Sequence, residues 1–576
     1  MTTIPTERIR NVVLVGHSGA GTTTVAEALL ARAGAIARAG RVDDGTSVLD
    51  TEPEAVKRHL SLAAAIAPFE WTAPDGLAYR VNLIDTPGYP DFVGEVEAAM
   101  AVADLAVFVV SAVDGIEVQT ELLWRRAAEL QLPRMVFVNK EDRDRADFHA
   151  VLAELSDVFG GGFVALELPL GEAGTLHGVA DVLSEQAFDY QADGAHSPTA
   201  MPDDVAVEEH HLHDSLVEEI VAGDDQQLER YLAGDVPSVA ELEHTLAGEV
   251  VALAEFPVLL GSATTGVGID RLADFICELA PAPSADPEAP PAVFVFKTIA
   301  DPFAGQLSLF TVLAGRVSVY DQLVNLRTGV GDRFHALFRL RGSQQEPVTS
   351  LVAGDIGAVA KLSDAATFDV YAAKGASVVA PNVALPTPVY AVAISPRTQS
   401  DDDKMGVALQ RLTAEDPVLR VERHDQTHQT VLRGLGDMHL AVALERMKRK
   451  FGVDVDVEDV RVPYRETITG RASAEGKVKK QSGGHGQFAV VQLDVEPLER
   501  GGGFEFVDAI VGGAIPKNYV AAVHRGIEET MAGGGVHGFP VVDVRVRCTD
   551  GKTHAVDSSD MAFRTAAALG FKDALG

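Results

Sequence analysis

Nine residues near the amino terminus, Gly16-His17-Ser18-Gly19-Ala20-Gly21-Thr22-Thr23-Thr24, lie between an apolar run, Asn11–Val15, and a helix-like run, Val25–Ala31. Few architectures accept that order. Glycines between a buried strand and a helix let backbone N–H groups approach a phosphate chain, and the helix dipole adds favourable charge. The segment fits the phosphate-loop pattern G-x-x-x-x-G-K-[ST] at both glycines and at the hydroxyl. Thr22, however, stands where that pattern has lysine. The chain is expected to hold a nucleoside triphosphate in an α/β domain, with weakened means of cleaving it.

At 576 residues the chain exceeds one hydrophobic core, so several domains are expected. Against 48 Lys+Arg stand 84 Asp+Glu, a formal net charge of −36, which excludes nucleic-acid binding through the surface as a whole, including DNA. Any RNA contact must come from local basic islands. Only Cys277 and Cys548 occur, too few for a disulfide framework, and residues 1–10 lack the apolar region of a signal peptide. The longest apolar run, Ala98–Val113, is interrupted by Asp104 and is too short to span a membrane. A cytoplasmic monomer is expected. The histidines show no zinc spacing.

Three further signals follow the loop, each at the end of a strand-like run. Arg80–Ile84 leads into Asp85-Thr86-Pro87-Gly88, where the carboxylate can hold Mg²⁺ and the Gly88 N–H can face a γ-phosphate. Met135–Val138 leads into Asn139-Lys140-Glu141-Asp142, whose Asp142 can accept from both N1–H and the 2-amino group of guanine. Leu259–Gly261 leads into Ser262-Ala263, with amides suited to the guanine O6. Four ordered signals at strand ends predict a doubly wound sheet that binds GTP/GDP with Mg²⁺. Residues 281–292, PAPSADPEAPPA, read as a linker, and Val293–Leu385 alternates like an antiparallel barrel.

Beyond the nucleotide signals, the chain resembles bacterial elongation factor G, the ribosomal translocase, along almost its whole length. The resemblance rests on Asp85–Gly94, Val138–Phe148, Asp416-Pro417, Gly434–Leu440, Val462–Ile468, Gln481–Gln487, Gly513–Tyr519 and Val556–Phe563. It implies a phosphate-loop GTPase domain at 1–280 with an insertion at about 160–255, and a β-barrel domain at 288–385. Two α+β domains, 388–466 and 467–576, would follow, with the family's fifth domain absent.

The resemblance also implies roles. Gly16–Thr24 would cradle the phosphates, while Thr23, Ser61 and Asp85 surround magnesium. Asn139, Lys140, Asp142, Ser262 and Ala263 would hold the base. Tyr89 occupies the place of the family's water-positioning histidine, making Gly88, Tyr89 and Thr22 the candidate catalytic positions, and Gly19 replaces an acidic residue. Arg58 is a candidate source of the missing cation. Ribosomal and transfer RNA are the implied partners, through Lys479, Lys480, His485 and His554 at the fourth-domain tip; Arg446, Lys448, Arg449 and Lys450 form a second basic cluster. The implied activity is translocation or ribosome disassembly with attenuated hydrolysis. The alternatives are a non-hydrolysing GTP-dependent regulator and a ribosomal protection protein.

Overall fold

The computed structural model describes residues 4–171, 173–301, 305–362, 365–376, 378–480 and 486–576. They form two compact units, Met1–Glu422 with Thr430–Glu458, and Arg423–Gln429 with Asp459–Gly576.

Among the described residues, the first unit is built on a seven-stranded sheet. Its order is Ala65–Thr72, Ala78–Asp85, Ile9–Val15, Leu105–Ser111, Arg134–Asn139, Phe256–Leu260 and Phe163–Ala165. All neighbours run parallel except the first pair. Ile9–Val15, Leu105–Ser111, Arg134–Asn139 and Phe256–Leu260 are buried along their whole length, which explains their near-continuous apolar runs. The charge in Ala98–Val113 marks a boundary: Asp104 sits in the short turn between helix Val93–Met100 and strand Leu105–Ser111. Between 167 and 251 lie an antiparallel meander of four strands and the helices Asp203–Ala222, Asp225–Leu232 and Val239–Val251.

An antiparallel β unit follows the linker, centred on the long pair Ala292–Asp301 and Gly305–Ala314. Its Phe294, Phe296, Leu307 and Leu309 belong to the same core as the nucleotide sheet. At the seam, Asp355 is fully buried and accepts hydrogen bonds from Arg80, Arg339 and Asn82. Burying that charge is tolerable because two guanidiniums and an amide surround it.

Next, strand Tyr390–Pro396 is flanked by Gln429–Gly434 and Val455–Glu458, with helices Gln399–Glu415 and Asp437–Phe451 packed against them. The basic cluster on the last helix, read as open to either RNA contact or solvent, meets acids of its own chain. Arg446 pairs with Glu52, Arg449 with Glu54, Lys450 with Glu415 and Lys448 with Asp454. Arg58, the candidate source of the missing cation, pairs with Glu445 at 2.7 Å. Burial alone would raise the Glu52 carboxyl, but the Arg446 and Lys450 charges outweigh it and bring it down to about 2. Thus helix Pro53–Arg58 is stapled to helix Asp437–Phe451 by partly desolvated ion pairs.

The second unit carries a four-stranded sheet in the order Ala472–Lys480, Gln487–Pro497, Val544–Lys552, Phe504–Asp508. Helices Lys517–Gly533 and Asp560–Leu575 bury their apolar faces with one face of this sheet. No helix among the described residues is long and apolar enough to cross a membrane.

Arg446→Met keeps the aliphatic stem but leaves Glu52 short of its main partner, at a cost of roughly 3 kcal/mol. The denaturation midpoint should fall, and amide exchange should quicken selectively in residues 47–62. Unchanged exchange there would contradict the stapling.

Candidate functional site

The nucleotide site is assembled at the carboxyl ends of the sheet strands. Strand Ile9–Val15 runs into the loop, and helix Thr22–Arg32 begins directly after Gly21, which adopts φ 100°. A side chain at Gly21 would also strike the Asn139 amide, so glycine is required there twice over. Asn139 donates to the Ala20 carbonyl at 2.9 Å and accepts from the Ala263 N–H at 3.1 Å. One side chain thereby ties the phosphate loop to the base-binding turn. Ser262 is buried and its hydroxyl accepts from the Thr265 N–H, while Lys140 lies 3.5 Å from Asp114. Gly88 packs so tightly on the main chain of His17 and Ser18 that a Cβ would come within 2.8 Å of it.

The three candidate magnesium ligands come together, with a fourth residue that the sequence did not flag. Thr23 Oγ1 donates to Asp85 Oδ2 at 2.7 Å, and Ser61 Oγ donates to Asp50 Oδ2 at 2.8 Å. The two hydroxyl oxygens are 2.9 Å apart. That spacing lets the two hydroxyls share a hydrogen bond, with either as donor, and brings their oxygens together with both carboxylates. Burial raises the Asp85 carboxyl well above its usual range, and the Asp50 charge raises it further, against hydrogen bonds from Thr23 and Thr22. Burial likewise raises Asp50. A dication would offset both costs. Thr22 is buried at the head of the helix and brings no charge toward the phosphates.

Orphaned atoms mark the remainder of the site. Asp85 Oδ1, Asp142 Oδ1 and His17 Nε2 are buried and have no hydrogen-bond partner among the described residues. An unmatched acceptor at Asp142 is what a base presenting two donors would satisfy. His17 is bonded through Nδ1 to Thr120 at 3.3 Å, and burial lowers its pKa toward the neutral form. Thr24 is half-buried, Ala20 buried, and Ser18 and Gly19 exposed at the loop's crest. The residues present fit a guanine nucleotide with magnesium.

Two supporting features also escaped the sequence reading. Glu27, fully buried, accepts from Gly40 N, Ser47 Oγ and Val48 N at 2.8, 2.7 and 2.6 Å, pinning the segment that leads to Asp50 and Ser61. A carboxylate inside a helix that turns back onto distant backbone leaves no local pattern. Tyr89 sits just before the turn Pro90–Phe92, half-buried against the apolar group Ala55, Leu62, Phe92 and Val442.

In the second unit, Lys479 and Lys480 end strand Ala472–Lys480, paired in register with Phe488 and Gln487. His554 lies 6.0 Å from the Phe488 ring and accepts backbone N–H bonds from Val556 and Asp557. His485 lies outside the described residues. Lys477 and Lys552 both register with Val490, so they extend the basic end of the same sheet.

Models of known families match in chain order. The Elongation factor Tu GTP binding domain covers residues 7–282 and Elongation factor G domain 2 covers 290–369. Elongation Factor G domain III covers 385–459 and Elongation factor G domain IV covers 460–576. The chain belongs to the elongation factor G family of translational GTPases. A solved structure, that of ttk003000868 from Thermus thermophilus, is 36% identical with a TM-score of 0.86, over 99% of this chain and 84% of that one. Membership in the elongation factor G family accounts for the site's four strand-end segments and for its guanine nucleotide chemistry.

Glu141, inside the base-binding segment, is 4% exposed with Oε1 unpartnered; burial and then the charges of Asp147 and Asp142 raise it to about 7. A raised carboxyl costs nothing below its unfolded value near 4.5, and the cost is complete above about 7, on the order of 3 kcal/mol. Glu141→Met should therefore raise the melting temperature at pH 8 and change it little at pH 5. An equal shift at both values would disprove ionisation as the cause.

Proposed function

We propose that this protein is a ribosome-associated, GTP-dependent translation factor of the cytoplasm in which binding is retained and hydrolysis is attenuated. The observation that carries this reading is the pair of facing hydroxyls, Thr23 and Ser61, between Asp85 and Asp50, in a loop whose lysine position holds Thr22.

Main-chain amides of Gly16–Thr24 hold the phosphates. Asn139, Lys140, Asp142, Ser262 and Ala263 hold the base, and Thr23, Ser61 and Asp85 hold magnesium, with Asp50 behind them. When bound, magnesium supplies charge neutralisation across the β- and γ-phosphates. In hydrolysis, water adds to the γ-phosphorus, the bond to the β,γ-bridging oxygen breaks, and the water's protons end on the products GDP and phosphate. Tyr89 stands where the attacking water is oriented. A lysine ammonium about 4 Å from a phosphate oxygen contributes up to roughly 4 kcal/mol at an effective dielectric near 20. Its loss slows turnover on the order of 10³-fold. Binding suffers less, because amides and magnesium act on ground state and transition state alike.

The protein then acts by occupying the ribosome in a nucleotide-dependent way, in translocation or ribosome disassembly, with Lys479, Lys480, His485 and His554 toward RNA. The decisive measurement is phosphate release with and without ribosomes for the natural protein and for Thr22→Lys. Release by Thr22→Lys should rise on the order of 10³-fold while retention of labelled GTP changes little. No gain sinks the attenuation, and failure of the natural protein to retain GTP sinks the whole reading.

The tip has its own test. Lys479→Glu should weaken co-sedimentation with ribosomes and flatten its salt dependence, while GTP retention stays unchanged. Equal sedimentation at every salt concentration would remove the tip from the RNA contact.

A further inference from the structure

The strand that opens the β unit carries an irregularity, and it decides where a lysine points. Along Ala292–Asp301 the side chains alternate. Val293 and Val295 enter the β unit's own core, while Phe294 and Phe296 enter the core shared with the nucleotide sheet. Strict alternation would send Lys297 into the β unit. The ladder with Gly305–Ala314 slips at that point, with Val295 opposite Phe310 and Lys297 opposite Leu309. Phe296 is the extra residue, and a bulge of this kind re-aims the side chains that follow. Because Leu309 belongs to the shared core, Lys297 emerges on the side of the nucleotide sheet.

There it meets Glu95, the acid in the first turn of helix Val93–Met100. The Lys297 ammonium donates to Glu95 Oε2, and the two side chains keep only 11% and 19% of their exposure. The same oxygen accepts from the Ala64 N–H at 2.9 Å. Ala64 is buried and lies one residue before strand Ala65–Thr72, so its N–H falls outside the ladder and needs an acceptor of its own. On one side of it, Ala65 is paired with Asp85. On the other, Ser61 lies three residues upstream. Glu95 therefore fixes the main chain between Asp85's partner strand and the Ser61 hydroxyl.

We propose that Glu95 is a positioning residue for magnesium: held by Lys297 of the β unit, it anchors the Ala64 main chain and so keeps the Ser61 hydroxyl where it joins Thr23 and Asp85 around the ion. The inference rests on the reading of Ser61 as a magnesium ligand. Of the three candidate ligands, Ser61 alone lies outside a helix or strand, since Thr23 belongs to helix Thr22–Arg32 and Asp85 ends strand Ala78–Asp85. A ligand on such a segment binds weakly unless its main chain is held, because ordering the chain anew at each binding event costs conformational entropy. The charge-assisted bond to Glu95 holds the segment downstream of Ser61, as Glu27 holds it upstream. The β unit thereby acts on ion binding through a lysine that is no part of the ion site.

Two readouts test this on the full chain: retention of labelled GTP as magnesium is titrated, and amide exchange in residues 60–66 of the nucleotide-free protein. Glu95→Ala should raise the magnesium concentration for half-maximal retention about 10-fold, the order of one charge-assisted hydrogen bond, and quicken that exchange. Retention at saturating magnesium should stay unchanged, which a general loss of folding would not allow. Glu95→Gln keeps an acceptor for Ala64 and should recover most of the shift. Lys297→Met leaves Glu95 in one cavity with Glu52, and should reproduce part of the shift if Glu95→Ala folds poorly. Ser61→Ala should raise the midpoint by itself, and adding Glu95→Ala should then change it little, because both act on one ligand. An unchanged midpoint in Glu95→Ala overturns the proposal, as do equal shifts in Glu95→Ala and Glu95→Gln, or full additivity with Ser61→Ala. No shift in Ser61→Ala would instead overturn the magnesium reading of Ser61, and the proposal with it.

Discussion

Asp85 is a carboxylate buried at the end of a strand, held by the Thr23 hydroxyl and close to a second acid, Asp50, and the organisation of the first unit follows from keeping that arrangement in place. A buried acid beside another is costly unless hydrogen bonds and a cation offset it. Thr23 reaches it from the helix that follows the phosphate loop, and Ser61 reaches Thr23 from a segment otherwise short of local structure. That segment keeps its course because Glu27 binds its beginning from inside helix Thr22–Arg32. Its middle is ion-paired to helix Asp437–Phe451. Nucleotide chemistry and the placement of a distant α+β layer are therefore linked through the short stretch of chain between Asp50 and Leu62.

The same constraint explains how a phosphate loop can lose its lysine and still look intact. The loop's shape depends on Gly21, on the Asn139 bridge and on the tight seat of Gly88, none of which involves residue 22. Thr22 is accommodated, buried, at the first turn of the helix. Geometry and charge are thus separable here: the scaffold that holds phosphates persists while the cation that would hasten their cleavage is gone.

Much of the architecture was legible in the chain because buried parallel strands have a plain signature. Ile9–Val15, Leu105–Ser111, Arg134–Asn139 and Phe256–Leu260 are buried throughout and mostly apolar, and three of the four run directly into a site motif. The limits of reading by type show in the 437–451 helix. Its Arg446, Lys448, Arg449 and Lys450 look like an RNA surface, yet they meet acids from three other segments. A basic side chain reads the same whether its partner is solvent, phosphate or a glutamate 394 residues away. Arg58 likewise pairs with Glu445, 387 residues from it.

By itself, the sequence determined the nucleotide fold and the order of the family's four matched domains, because those depend on local patterns of glycine, hydroxyl and acid at strand ends. Only the tertiary structure decided that Asp50 joins Thr23, Ser61 and Asp85, that Glu27 holds the segment leading to them, and that Tyr89 packs against an apolar group shared with Val442. These are contacts between segments far apart in the chain. Their energy comes from burial and charge pairing across folded surfaces, and that information appears only when the surfaces meet.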